Sequence, residues 1–478
     1  MSFIRPAFPY PARIPSWFAG HMSRSLRELP TLLENIDLVI EARDSRLPLT
    51  SINSTFDQML GKAKRSGKGK GKEKEKLVVY TKRDLGERRY EEPLKKAFLQ
   101  HAGQKVMFAD TRSDQDVREV LRHAVRIARE NQETIPDLRV LVVGMPNVGK
   151  SSLLNALRRV GLRKGKAFRT GAEAGITRKL TGTVRIYDDP SVYVYDTPGV
   201  MVPYLGRGED GAEKGLKLAL TAGIKESLFE QDAMVDYLLW KMNKRLIAES
   251  HLDDTDPNKH QTYLSLLPLP AGFQPTDDIS HLLDALSDRL GALKKGGERD
   301  HEAASGFLIR AFREGKLGEF TLDDLTPGQP KKHISSTSEV ADEGQVQAQA
   351  EAEAEAEAGP QDQSSKSSEV DETQIQIQSV SLSPSTTNSD LDIQVSQTVK
   401  QYLSLLHPSS SSSSQPNSFT GISQNQQKKA NKRQRLEERD TKLRAKGVNV
   451  PIRQWGDKRS LRRGSRVGEA GRMARSRR

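Results

Sequence analysis

Residues 138–143, Leu-Arg-Val-Leu-Val-Val, run straight into Gly144-Met145-Pro146-Asn147-Val148-Gly149-Lys150-Ser151, and this junction restricts the fold more than any other stretch. The spacing is glycine, four residues, then Gly-Lys-Ser, and Ser152-Leu153-Leu154-Asn155-Ala156-Leu157 follows as helix-forming sequence. An apolar strand, a glycine loop and a helix in that order wrap backbone N–H groups around a phosphate. Glycine leaves room that a side chain would obstruct, and the helix N-terminus favours an anion. Val148, Gly149 and Ser152 belong to this cradle. Lys150 supplies positive charge to the β- and γ-phosphates, and Ser151 offers a hydroxyl to Mg²⁺.

The surroundings agree with such a loop. Short apolar runs at 38–42, 77–80, 106–109 and 138–143 alternate with helical patterns at about 90–99 and 114–129. This alternation predicts an α/β protein of the P-loop NTPase fold, with a mostly parallel, doubly wound sheet. After Pro203 the pattern turns helical, with stretches at 213–222, 224–227, 231–244, 279–294 and 300–314.

Composition shows that a third region differs from both. Apolar residues make up 35% of the 478 and aromatics 5%, below what a uniformly globular chain carries. Residues 326–427 are mainly Ser, Gln, Glu, Ala and Thr, which predicts a disordered linker with a possible short helix at Val399-Leu406. From Lys428 onward 19 Lys/Arg stand against 5 Asp/Glu, an excess of about 14 that suits a polyanion such as RNA. The expected organisation is an N-terminal extension at 1–14, a nucleotide-binding domain at 15–202, a helical RNA-binding domain at 203–325, the linker, and a basic tail at 428–478.

Residues 62–76 are almost entirely Lys, Gly, Arg, Ser and Glu and read as an exposed loop, a further candidate RNA contact. The absence of cysteine excludes disulfides, thiolate metal sites and cysteine nucleophiles. No apolar run is long enough to span a membrane. Arg5, Arg13, Arg24 and Arg27 precede the first acid, Glu28, which is compatible with a mitochondrial presequence.

Two further segments complete a phosphate site. Val192-Tyr193-Val194-Tyr195-Asp196-Thr197-Pro198-Gly199 is a strand that delivers Asp196 toward Mg²⁺ and Gly199 toward a γ-phosphate. Between it and the P-loop lies Gly175-Ile176-Thr177-Arg178, where Thr177 is the natural second hydroxyl for the metal. Strand 77–80 ends in Thr81-Lys82-Arg83-Asp84. There Asp84 can accept hydrogen bonds from guanine N1–H and N2–H₂, which adenine does not offer, and Lys82 can lay its stem along the base.

Those motifs occur in permuted order: the base segment, then Asp110-Thr111, the P-loop, Thr177 and Asp196 to Gly199. With Trp17-Phe18-Ala19-Gly20-His21-Met22, the segment Asp37 to Pro48, Gly215-Leu216-Lys217-Leu218-Ala219-Leu220-Thr221 and Gly315-Lys316-Leu317-Gly318, the chain resembles the circularly permuted GTPases of the YlqF/RbgA type, particularly their mitochondrial branch. The likeness covers residues 15 to 325. It implies GTP hydrolysis with Mg²⁺ and with K⁺, the latter held with help from Asn147. The implied partners are the large ribosomal subunit and its rRNA in mitochondria, engaged by a monomer, with peripheral attachment to the matrix side of the inner membrane. Thr81 stands where the family has Asn, and Asp110-Thr111 where Ser-Ala is usual, so base affinity is expected to be weaker. Val200 occupies the place of a water-orienting Gln and has no hydrogen-bonding group. The resemblance points to His21 as the group that orients water, alongside Lys150 and Thr177 as catalytic residues. The alternatives are a GTP-regulated RNA-binding module with negligible hydrolysis, and an ATPase should Thr81 relax base choice.

Overall fold

The computed structural model describes residues 4–11, 17–18, 20–65, 75–168, 170–171, 183–201, 205–206, 208–250, 261–326 and 388–406, with isolated positions between 434 and 441. The chain divides into two compact units, Met1–Pro416 and Asn417–Arg478.

In the first unit the order is α1 (Gly20–Leu33), β1 (Leu38–Asp44), α2 (Ser54–Arg65), β2 (Glu75–Thr81), α3 (Glu91–Ala102), β3 (Val106–Ala109), α4 (Asp114–Glu130), β4 (Asp137–Gly144), α5 (Lys150–Leu162), β5 (Val184–Tyr187) and β6 (Ser191–Asp196). Then come α6 (Gly208–Leu220), α7 (Gln231–Ser250), α8 (Tyr263–Leu266), α9 (Ile279–Leu290), α10 (His301–Arg313) and α11 (Asn388–Leu406). The six strands form one sheet in the order β3-β2-β1-β4-β6-β5, parallel throughout except for β5. β1 is buried along its whole length, as expected of a central strand covered by helices on both faces.

Local sequence explains most of these elements. α4 starts where the Ser113 side chain accepts from the Asp116 N–H, and it buries Val117, Val120, Leu121, Ala124, Val125, Ile127 and Ala128 as one stripe. The expected strands at 77–80, 106–109 and 138–143 all form. The sequence reading lacked β5, although Val184-Arg185-Ile186-Tyr187 alternates as an edge strand should and pairs antiparallel with β6.

The charged stretch at 62–76 is corrected at both ends. α2 continues to Arg65 and β2 begins at Glu75. Lys76 is a strand residue whose ammonium sits 2.8 Å from the buried Glu41 carboxylate and also pairs with Asp57. Positions 66–74 lie outside the described residues.

The helical part and the sheet share one apolar cluster that runs from Leu38 and Ile40 through Leu216, Leu238 and Leu282 to Leu308. After α10 the chain returns to the sheet. Phe320 N–H donates to Leu85 O at 2.8 Å and Leu322 N–H to Arg46 O at 2.9 Å. Asp323 accepts from the Leu49 and Thr50 N–H groups, both at 2.8 Å, and pairs with Lys217 at 3.1 Å.

Within the stretch that composition assigns to a disordered linker, residues 388–406 form α11, far longer than the helix expected at 399–406. It packs on α3. Val395 and Val399 are fully buried in a cluster with Leu94, Ala97, Phe98 and Leu325. Burying two valines supplies on the order of 3 kcal/mol, which offsets part of the cost of ordering the helix. No described helix is long and apolar enough to cross a membrane.

Candidate nucleotide-binding site

The C-terminal ends of parallel strands β2, β1, β4 and β6 lie along one edge of the sheet, where open α/β sheets bind ligands. β4 delivers the P-loop. Gly144 sits at φ 150°, and a Cβ there would lie 2.3 Å from Ala42 O of the neighbouring strand, so no side chain fits. Gly149, at φ 88°, opens α5.

Lys150 is 6% exposed, and its ammonium contacts the loop carbonyls of Met145 at 2.8 Å and Gly144 at 3.2 Å. Burial pulls its pKa down to about 8, and the Asp196 carboxylate opposes that only in part. Neutral carbonyls solvate this charge poorly compared with phosphate oxygens, which suits Lys150 to a phosphate ligand.

β6 brings in Asp196, whose Oδ2 accepts from Ser151 Oγ at 2.7 Å. Its Oδ1 is buried and has no hydrogen-bond partner among the described residues. Burial raises the Asp196 pKa, against the Ser151 hydrogen bond, the Lys150 charge and the Thr197 N–H. A hydroxyl beside an unsatisfied carboxylate oxygen is a donor set that fits Mg²⁺, which takes oxygen ligands and keeps several waters. The expected third contributor, Thr177, lies outside the described residues, as does the His21 side chain, though His21 is in the first turn of α1.

Gly199 lies against the P-loop, since a Cβ there would come within 2.5 Å of Pro146 Cα. Val200 donates its N–H to Gly144 O at 3.1 Å and is buried in an apolar cluster with Leu141 and Val143.

The base segment meets the P-loop directly. Thr81 Oγ1 bonds to Val148 O and lies 3.0 Å from Arg43 O. Lys82 donates to Asn147 O at 2.7 Å and to Asp44 Oδ2 at 2.8 Å. Asn147 Nδ2 in turn donates to Thr221 O, at the end of α6, at 3.0 Å. Three segments distant in sequence are therefore tied at one loop. Thr81 thus braces the P-loop with its hydroxyl, although it replaces the amide that the sequence comparison expected.

Asp84 sits in a tight turn, part-exposed, with Arg112 Nη2 2.5 Å from its Oδ2. Burial and the nearby Asp110 charge raise its pKa, while Arg112 opposes them. Asp110 receives both the side chain and the N–H of Arg112, and gives its own N–H to Asp116 Oδ2 at 2.9 Å. Thr111 O accepts from Arg159 Nη2 at 3.3 Å, and Ser152 belongs to the first turn of α5. Arg112, Asp44 and Thr221 were not singled out as site residues by the sequence reading. Asp44 and Thr221 lie in segments already marked by resemblance, whereas nothing in the spacing marks Arg112.

A Thr-Lys-Arg-Asp segment that comes before the P-loop in sequence, yet bonds to it through Thr81 and Lys82, gives the chain the motif order of a P-loop GTPase with circularly permuted motifs. The family described as "50S ribosome-binding GTPase" matches residues 139–261. The Mitochondrial ribosome-associated GTPase 1 of Xenopus tropicalis is 33% identical over 336 residues, 67% of this chain and 98% of that protein. Mitochondrial GTPase 1 of Schizosaccharomyces pombe is 32% identical, covering 68% and 94%, and Ribosome biogenesis GTPase A of Bacillus cereus is 28% identical, covering 68% and 98%. A solved structure of GNP-bound YlqF from T. maritima aligns over 63% of this chain and 97% of its own, with 17% identity and a TM-score of 0.39. The chain belongs to the family of the mitochondrial ribosome-associated GTPase 1, within the YlqF/RbgA type.

Proposed function

We propose that this GTPase acts in mitochondria on the large ribosomal subunit during its assembly, binding rRNA with its helical part and leaving the subunit after GTP hydrolysis. The observation that carries the nucleotide half is the hydrogen-bonded junction of Thr81 and Lys82 with Val148 and Asn147. It supports base recognition and phosphate binding in one cleft. The ribosomal half rests on the names of the relatives together with the chain's basic charge.

Within the cleft, Asp84 reads guanine N1–H and N2–H₂, and the Thr111 N–H serves guanine O6. Backbone N–H groups of Val148, Gly149, Lys150, Ser151 and Ser152 hold the phosphates. Lys150 turns from its loop carbonyls to the β- and γ-phosphates, and the Gly199 N–H meets the γ-phosphate. Ser151, Thr177 and Asp196 would hold Mg²⁺, which would offset charge developing on the phosphates. His21 orients the attacking water, since Val200 is apolar and packed away, and Asn147 helps to hold K⁺. Peripheral attachment to the inner membrane's matrix face completes this reading, for a protein acting as a monomer.

A second reading is favoured by the burial of Val200 in an apolar cluster: a GTP-regulated RNA-binding module with negligible turnover. Turnover measured with and without purified mitochondrial large subunits, in K⁺ and in Na⁺, separates the two. The expected result is stimulation by subunits that Lys150→Ala abolishes. GTP binding with no turnover under any of these conditions selects the second reading.

A further inference from the structure

The loop after β3 carries a guanidinium to the place where the base segment ends. The Arg112 side chain is 72% exposed, yet it is anchored along its length. Its N–H donates to Asp110 Oδ1 at 2.9 Å, its Nε to the same oxygen at 3.1 Å, and its Nη2 to Asp110 Oδ2 at 3.0 Å. The same Nη2 lies 2.5 Å from Asp84 Oδ2. One guanidinium therefore bridges two carboxylates that would otherwise repel each other, and Asp110 holds the larger share of it.

The two loops are also tied through Asp116. Its Oδ2 accepts from the Asp110 N–H at 2.9 Å, and its Oδ1 accepts from Arg83 Nη1 at 3.0 Å. Arg83 is paired in turn with Glu91 at 2.8 Å. Arg112 thus reaches Asp84 from a fixed base.

Guanine presents N1–H and the N2 amino group on either side of one carbon, an N–C–N fork of donors. Arginine presents the same fork, and a carboxylate accepts either one through its oxygens. Adenine has no donor at N1 and only a C–H at C2, so it makes no such claim on Asp84.

We propose that Arg112 is a built-in competitor for guanine: it occupies the Asp84 carboxylate in the empty protein, and the base displaces it in order to be read. This deepens the reading of Asp84 as the guanine acceptor and rests on it. Displacement leaves the guanidinium on Asp110, so the base exchanges with one exposed ion pair while the anchor stays. An ion pair this exposed is worth no more than about fivefold in an equilibrium constant. Arg112 accordingly lowers guanine affinity a few-fold and trims the preference over adenine by the same factor. GDP is affected as much as GTP, because the contact is to the base.

The test is equilibrium binding of GTP, GDP and ATP to the full chain and to Arg112→Ala, Asp84→Asn and the double variant. Salt at about 0.15 M screens the guanidinium from distant phosphates, and ATP reads any general change in phosphate binding or folding. Arg112→Ala should bind GTP and GDP about threefold to fivefold more tightly and ATP as before. In the Asp84→Asn background the same change should have little effect, because the neutral amide no longer attracts a cation. If Arg112→Ala binds GTP no more tightly while Asp84→Asn still costs roughly 100-fold, the competitor is wrong and the base reading stands. Tighter GTP binding that persists in the double variant would show that Arg112 acts elsewhere, and this also overturns the proposal. If Asp84→Asn leaves GTP and ATP in their original ratio, the base reading itself fails.

Discussion

Lys150 is a cation held among neutral carbonyls, and its affinity for a proton is depressed as a result, to about 8. Phosphate oxygens restore the preference for the charged form, so GTP binding must return a proton wherever the free protein has lost it. The sign follows: affinity is constant below about pH 7 and weakens as pH rises through 8, approaching tenfold per pH unit. Calorimetry of GTP binding in buffers of different ionisation enthalpy should show proton uptake at pH 8.5 and much less at pH 6.5. Pure proton release at pH 8.5 would contradict this account of Lys150.

Asp84 carries the second prediction at this scale. In the proposed site it would offer a charged acceptor to two guanine donors, so Asp84→Asn should cost GTP about 2–3 kcal/mol, roughly 100-fold in affinity, with ATP binding nearly unchanged. Competition between the two nucleotides reads the ratio directly. The motif was legible because Thr81-Lys82-Arg83-Asp84, just where a strand ends, differs from Asn-Lys-x-Asp in its first residue alone. Arg112, which pairs with Asp84, was not, because a basic residue in a polar loop resembles any other until the loop is placed.

Among the elements, β1 shows how a charged strand is kept in a core. Glu41 and Arg43 are both almost fully buried, 2.8 Å apart, with Lys76 also on Glu41. Burial alone would raise the Glu41 pKa, but the Arg43 and Lys76 charges overcome it and bring the carboxyl down to about 2. Stability from this group is present above about pH 4.5 and is lost as pH falls toward 2. Glu41→Gln leaves the buried Arg43 guanidinium without its partner and should destabilise the fold by about 3–5 kcal/mol. Denaturant unfolding at neutral pH measures this, and a loss under about 1 kcal/mol would show that the network contributes little. Helix α11 belongs to the same scale. Its apolar spacing was present in the sequence, but the surrounding Ser- and Gln-rich composition masked it.

For the whole molecule, the important contacts are those that pass between the sheet and the helices. The P-loop residue Asn147 is bonded to Thr221, Phe320 to Leu85 beside the base segment, and Asp323 to the loop after β1. Arg313 caps α6 through the carbonyls of Ala219 and Leu220. A change at the γ-phosphate would reach the helical part through the Asn147–Thr221 bond, since Gly199 and the P-loop are in contact. Because the protein has no cysteine, spin labels at Arg118→Cys and Arg289→Cys report cleanly on the separation of α4 and α9. Their distance distribution should differ between GDP and a non-hydrolysable GTP analogue, and Asn147→Ala should narrow that difference. Identical distributions in the two nucleotide states would remove the helical part from the switch.

The sequence by itself determined the five parallel strands, the glycine loop and the chemical identities at the cleft, because short-range rules of periodicity, glycine geometry and side-chain chemistry act within a few residues. Order β3-β2-β1-β4-β6-β5, which sets the Thr81–Val148 and Lys82–Asn147 contacts, was decided only by the packed sheet. So were the pairing of Arg112 with Asp84 and the seat of α11 on α3. Such partnerships join residues tens to hundreds of positions apart, and they exist only once burial has fixed which surfaces face each other.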